Sequence, residues 1–176
     1  RRLHGWSARV TVVSAVADHA VGGVSRHQLA VARRLGIPTH TAPAAAEAQT
    51  AGDAASDWSP DLIIDGLIGY SLRGAPRDAF GGLIRWANDQ PAPTLALDVP
   101  SGLDATTGTA HDPAIRAAAT LTLALPKTGL RAPAAATHVG ELYLADISVP
   151  PGLYARPGLE LAVGPLFAAH DILRLP

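Results

Sequence analysis

The sequence contains no cysteine and no methionine, and aromatic side chains make up only 5% of its 176 residues. Without cysteine, disulfides, thiol nucleophiles and cysteine-based zinc sites are excluded. No methionine stands even at the first position, so the chain reads as a processed or trimmed product or a fragment. Lysine is nearly absent as well: 13 of the 14 basic residues are arginine, and Lys127 stands alone. Charges of opposite sign almost cancel, with 14 Lys+Arg against 15 Asp+Glu. So balanced a chain has no global field to draw nucleic acid or an anionic membrane. No apolar run reaches the roughly 18 residues of a membrane span, and the charged opening Arg1–Arg9 is not a signal peptide. Trp6, Trp58 and Trp86 are dispersed and form no base-stacking platform.

What remains is a globular composition, 48% hydrophobic, in a chain whose length favours one domain with a real core. Val10–Ser14, Leu62–Ile68, Thr94–Val99, Thr120–Leu125 and Leu142–Ile147 are short apolar runs that read as strands. Ala17–Gly23 is polar and Gly-containing and reads as a loop. Ser25 can cap a helix through Leu35, which Gly36 stops and Pro38 follows. Arg77–Asn88 predicts a second helix, with Phe80, Leu83, Ile84 and Ala87 at helical spacing. Ala114–Ala118 reads as a short helical segment, Ala42–Ser59 as a weak helix or loop, and the tail from Pro150 as coil or a short helix. Strands alternating with helices, several apolar on both faces, argue for an α/β fold with a mainly parallel sheet.

Ligands of open α/β sheets bind beyond the carboxyl ends of the strands, and two segments carry polar residues there. Asp65 lies inside an apolar run, so its carboxylate must be hydrogen-bonded, paired or bound to a cation. It either accepts backbone N–H bonds at a strand end or ligates a cation. Gly69 and Gly74 then bracket a loop whose backbone N–H groups could hold an anion. Asp98 ends an apolar strand and precedes Pro100-Ser101-Gly102. It either closes an Asx-type turn or serves as a general acid/base in a cleft. Lys127 is either a compact functional charge or a solvated surface lysine. The seven histidines are scattered, without zinc-site spacing, and there is no GxSxG, Walker A or GxGxxG sequence.

In order, DLIIDGLIGYSLRGAPR, LALDVPSGLDATTG, AATLTLALPKTGL and GELYLADISVP resemble the YjeF N-terminal domain family of NAD(P)H-hydrate epimerases. The resemblance spans Asp61 to Pro150, and Val10–Leu35 fits the family's second strand and following helix more loosely. It implies a Rossmann-like three-layer α/β/α sandwich and an isomerase of metabolite repair. The substrate would be NADH or NADPH hydrated at C6 of the nicotinamide ring, interconverted between its R and S forms. A companion NAD(P)H-hydrate dehydratase would accept the S form and restore the cofactor. By resemblance, Asp65 and Ser101 would ligate a potassium ion, and Gly69, Tyr70, Ser71, Leu72, Arg73, Gly74 and Ala75 would line the substrate. Asp98 would contact the reacting ring as the catalytic group. A cytoplasmic protein is implied, with a homodimer left open.

The family's Gly-rich phosphate loop, with one potassium-ligating Asn, precedes a helix whose end Arg1-Arg2-Leu3 resembles. The 176 residues therefore read as a single, N-terminally incomplete domain and as a poor catalyst in that form. Tyr70-Ser71 also stands where small residues or Thr-Gly often occur. The alternative from another class is a noncatalytic domain of this type that binds a nucleotide or a protein partner. A kinase-like dehydratase would need an ATP-binding anion loop and a larger domain, and neither is found.

Overall fold

In the computed structural model the described residues are 1–42 and 59–176, so all but the end residues of the helix or loop expected at Ala42–Ser59 lie outside them. The chain forms two compact units, residues 1–59 with 77–83, and residues 60–76 with 84–176. No helix among the described residues is long and apolar enough to cross a membrane.

In the first unit a short helix, α1 (Arg2–Gly5), precedes β1 (Val12–Ser14), α2 (Gly23–Arg34) and β2 (Thr39–Thr41). A 3-10 turn, Asp18–Ala20, lies within the expected loop. β1 and β2 pair in parallel, Val12 opposite Thr39. α2 ends as its sequence suggests. Gly36 takes φ +73°, and the Ile37 N–H returns to the Ala32 carbonyl at 3.1 Å, so the last helical carbonyls find partners. Its start differs from expectation. The helix begins at Gly23 with Gly22 as N-cap and no side-chain cap bond; Ser25 therefore sits inside the first turn.

The second unit is built on a five-stranded sheet in the order β3 (Ile63–Asp65), β4 (Thr94–Leu97), β5 (Ala119–Leu123), β6 (Glu141–Ala145) and β7 (Ile172–Arg174). The first four strands are parallel and β7 runs antiparallel to β6. Each of the four parallel strands is shorter than the apolar run that announced it, because the run continues into the turn beyond the strand. Asp65, Ala96, Thr120 and Leu142 stand in register across four strands, and all four are buried. In β5 it is Thr120 and Thr122 that are fully buried, while Leu121 and Leu123 are only half-buried. The Thr120 hydroxyl donates to the Val139 carbonyl at 2.7 Å, which makes the buried position affordable for a polar side chain.

Two apolar clusters pack in this unit. Ile84 and Ala87, from the helix α3 (Asp78–Asp89), meet Ala96, Ile115 and Ala117. Val99 and Leu103 meet Leu130, Ala135, Val139 and Leu142. The latter come from two 3-10 turns, Thr128–Arg131 and Pro133–Ala135, and from β6 and α4 (Ala136–Val139). Each fully buried side chain of the size of Ile84 or Ile115 contributes roughly 1.5–3 kcal/mol.

Two expectations are corrected here. Ala114–Ala118 is not helical, because its backbone is claimed by tertiary partners. The N–H groups of Ile115, Ala117 and Ala118 donate to the carbonyls of Ser101, His138 and Thr94 at 2.8, 3.0 and 2.8 Å. The tail holds the expected short helix, α5 (Pro151–Tyr154), but it also returns as β7.

Because β3, β4 and β5 are parallel, the residues following Asp65, Leu97 and Leu123 gather at one edge of the sheet. The turn after β4 is held against residues 111–115 at Gly102. That residue has φ +95°, and a Cβ there would stand 2.4 Å from the Pro113 carbonyl oxygen. Gly102→Ala therefore meets both a left-handed backbone penalty of ~1–2 kcal/mol and an overpacking penalty of ~1–3 kcal/mol. Chemical denaturation should show a loss of about 2–5 kcal/mol from these two terms. A variant as stable as wild type would mean that this turn is not closely packed.

Candidate active site

The final residue of β3, Asp65, is 3% exposed, and Ser101 in the turn after β4 is fully buried. They face each other. The Ser101 hydroxyl donates to Asp65 Oδ1 at 2.6 Å and the Ser101 N–H donates to Oδ2 at 2.8 Å. The Leu67 N–H adds a third bond to Oδ1 at 3.2 Å. Ser101 Oγ in turn accepts the Ile68 N–H at 2.9 Å. Burial pushes the Asp65 carboxyl above its ordinary range, against the pull of the bonds from Ser101 and Leu67. Asp65 is thus a carboxylate accepting backbone N–H groups at a strand end, one of the two roles the sequence left open. The same oxygens are also a hard, anionic donor set.

The next strand ends in the second carboxylate. Asp98 directly follows β4 with φ +70°, a conformation Asp tolerates better than most residues. Its N–H donates to the Leu121 carbonyl at 2.9 Å. Asp98 Oδ1 accepts the Leu123 N–H at 3.3 Å and an ammonium N–H of Lys127. Ala124, just past β5, is likewise left-handed, at φ +66°, so the chain turns and delivers Lys127 to the end of β4. The Lys127 side chain is 22% exposed and is not a solvated surface lysine. Its ammonium also donates to Thr122 Oγ1 at 3.2 Å and to the Leu123 carbonyl at 3.0 Å. Among the described residues Asp98 Oδ2 takes no bond. It lies 3.6 Å from where a Cβ on Gly69 would stand.

Beside this pair an open cleft of about 290 Å³ is lined by Tyr70, Ala105, Thr106, Pro126, Lys127 and Thr128. One wall is set by Asp104, whose Oδ1 accepts the N–H groups of Thr106 and Thr107 at 2.9 and 2.7 Å. Those bonds hold its carboxyl below the ordinary range. The structure therefore joins Asp65 to Ser101, and brings Gly69 to Asp98. Of the loop residues, Tyr70 lines the cleft. Ser71, Arg73, Gly74 and Ala75 are exposed and Leu72 is half-buried, away from the cleft's lining. Sequence reasoning missed Thr106, Thr122 and Thr128. The one available signal was the alternation in Thr120–Leu123, which puts Thr122 on the face of Thr120.

Residues 1–129 match the family model described as YjeF-related protein N-terminus. An NAD(P)H-hydrate epimerase of Dehalogenimonas lykanthroporepellens is 44% identical over 110 residues, covering 62% of this chain and 43% of that protein. A bifunctional NAD(P)H-hydrate repair enzyme of Salinibacter ruber is 36% identical over 165 residues, 89% of this chain and 30% of that protein. The chain thus spans less than half the length of these curated relatives. A yeast protein of known crystal structure has the same fold, with a TM-score of 0.66 at 19% identity over 95% of this chain and 77% of that one.

The raised Asp65 pKa has a consequence for stability. The folded state holds this proton more tightly than the unfolded chain, whose carboxyl titrates near 3.8. Stability from this group therefore falls as pH rises from there through the folded pKa. Asp65→Asn does not titrate. In potassium-free buffer, the stability of Asp65→Asn relative to wild type should improve as pH rises through that window. Denaturation curves at stepped pH measure it, and a difference that moves the other way would show the carboxylate to be the favoured form.

Proposed function

The chain belongs to the YjeF N-terminal domain family, and on that premise we propose that it interconverts the R and S forms of hydrated NADH or NADPH. The observation that carries this reading is the Asp98 carboxylate, fixed on a left-handed residue beyond β4 with Oδ2 turned to Gly69. The names of the relatives above support it.

Inversion at C6 of the hydrate requires its C6–O bond to break and form again on the other face. The hydroxyl takes up a proton and leaves as water, while the ring-nitrogen lone pair closes an iminium. Water then adds to the opposite face and releases a proton. One proton is used and one returned, so no oxidant or reductant is consumed. Asp98 carries that proton, and its negative charge stabilises the positive charge that develops on the ring. The cleft lined by Tyr70, Thr106 and Thr128 gives the polar substrate hydrogen-bonding walls.

Potassium belongs to the same proposal. Asp65 and Ser101 offer only oxygen donors and one negative charge, which suits a large hard cation. A cation would also relieve the burial that raises the Asp65 pKa. These two residues would hold it, and the ion would supply a fixed positive charge beside an anionic nucleotide. Tyr70, Ser71, Leu72, Arg73, Gly74 and Ala75, after Gly69, would contact the substrate as the loop that the hydrogen bond from Ile68 to Ser101 steadies. The product form would pass to a dehydratase, in keeping with the name of the Salinibacter relative, a bifunctional NAD(P)H-hydrate repair enzyme, and the setting would be the cytoplasm.

Proton NMR of the two hydrate epimers tests the reading on the protein at its full natural length. An enriched R or S sample should relax to the mixture faster than without enzyme. Asp98→Asn should stay folded and slow that relaxation by about 10²–10⁴, the usual share of a positioned acid/base. Binding of the hydrate without acceleration would identify a noncatalytic module. A destabilised Asp98→Asn with full turnover would remove Asp98 from the chemistry.

A further inference from the structure

We propose that Lys127 is a positioning residue, which acts through Asp98 by fixing the orientation of its carboxylate so that one oxygen stays free and directed at the substrate. The inference rests on the epimerase reading of the same site.

An ammonium carries three N–H donors and no acceptor. At Lys127 three acceptors surround it: Asp98 Oδ1, Thr122 Oγ1 and the Leu123 carbonyl. All of them belong to the ends of β4 and β5. Lys127 lines the cleft, yet its donors are committed to the protein, so its effect on a ligand passes through Asp98. On that carboxylate, both bonds fall on Oδ1, from Lys127 and from the Leu123 N–H. Oδ2 is left directed at Gly69. Tilting or partly rotating the carboxylate would break both bonds on Oδ1, so the direction of the free oxygen is set before substrate arrives.

The backbone is shaped for this contact. Asp98 and Ala124, the residues directly after β4 and β5, both take left-handed φ values, +70° and +66°. Side chains other than glycine rarely adopt such a backbone, and such residues concentrate at functional sites. Arginine would not substitute. Its planar fork spreads five donors over a larger group and cannot converge three of them on one compact point. In a chain with 13 arginines, the lysine meets a geometry that the commoner cation does not.

The test measures kcat, KM and thermal unfolding on the full-length protein for wild type, Lys127→Ala and Lys127→Arg. Wild-type interconversion of the hydrate epimers comes first. With that in hand, Lys127→Ala should lose about 10²-fold in kcat, the scale of a misplaced reacting group. KM should change little, because the lysine does not touch substrate. Lys127→Arg should fail to restore the rate. Methylammonium should partly rescue kcat of Lys127→Ala, since it can refill the ammonium position. A merely structural ion pair would lower the unfolding temperature with turnover per folded molecule intact and no rescue, and that result would overturn the inference. So would a raised KM at unchanged kcat, or a fully active Lys127→Arg. Wild type without interconversion would instead overturn the underlying reading, and this inference with it.

Discussion

The Asp65–Ser101 contact is the constraint on which the rest of the site depends. It joins the ends of two neighbouring parallel strands through two bonds of 2.6 and 2.8 Å. It then passes the constraint on, because the same hydroxyl accepts the Ile68 N–H. Gly69 follows at once, and Gly69 is the residue against which Asp98 Oδ2 stands. The bonds from Ser101 and Leu67 offset part of the cost of burying this carboxylate. Loss of one partner would leave a desolvated charge rather than a relaxed loop.

The second carboxylate is arranged differently, and the difference assigns the roles. Asp65 spends both oxygens on the protein, so it organises structure and, in our proposal, a cation. Asp98 spends one oxygen and keeps one, so it can meet a ligand. Both stand where parallel strands end, the place at which open α/β sheets bind ligands. The threonines of β5 extend the same logic into the core. Thr120 ties the sheet to the Val139 carbonyl, and Thr122 presents an acceptor to Lys127.

Much of this was legible in the residues. The apolar runs around Ile63, Leu95, Leu121 and Leu142 became strands, since continuous apolar stretches suit a sheet with buried strands. Carboxylates set at the ends of such runs could be singled out because burying them unpaired is prohibitive. What escaped depended on partners distant in sequence. Ile172–Arg174 is too short for a periodic signal and becomes a strand only by pairing with β6. Ala114–Ala118 has a helical composition, but Ser101, His138 and Thr94 capture its N–H groups. The start of α2 was misplaced because backbone geometry at Gly22 and Gly23, not a capping side chain at Ser25, begins the helix. Lys127 could not be told from a surface lysine until Ala124 was seen to turn the chain toward Asp98.

On the proposed function, the nicotinamide ring of a hydrated cofactor meets Asp98 at the edge of the sheet. A crystal structure of the full-length protein with the NADPH hydrate bound tests it most directly. The account predicts C6 of the ring within about 3.5 Å of Asp98 Oδ2, the separation of groups poised to react, with Tyr70 and Thr106 against the ligand. A hydrate seated instead in the separate cleft between Arg85, His111 and Arg116, with Asp98 untouched, would contradict it.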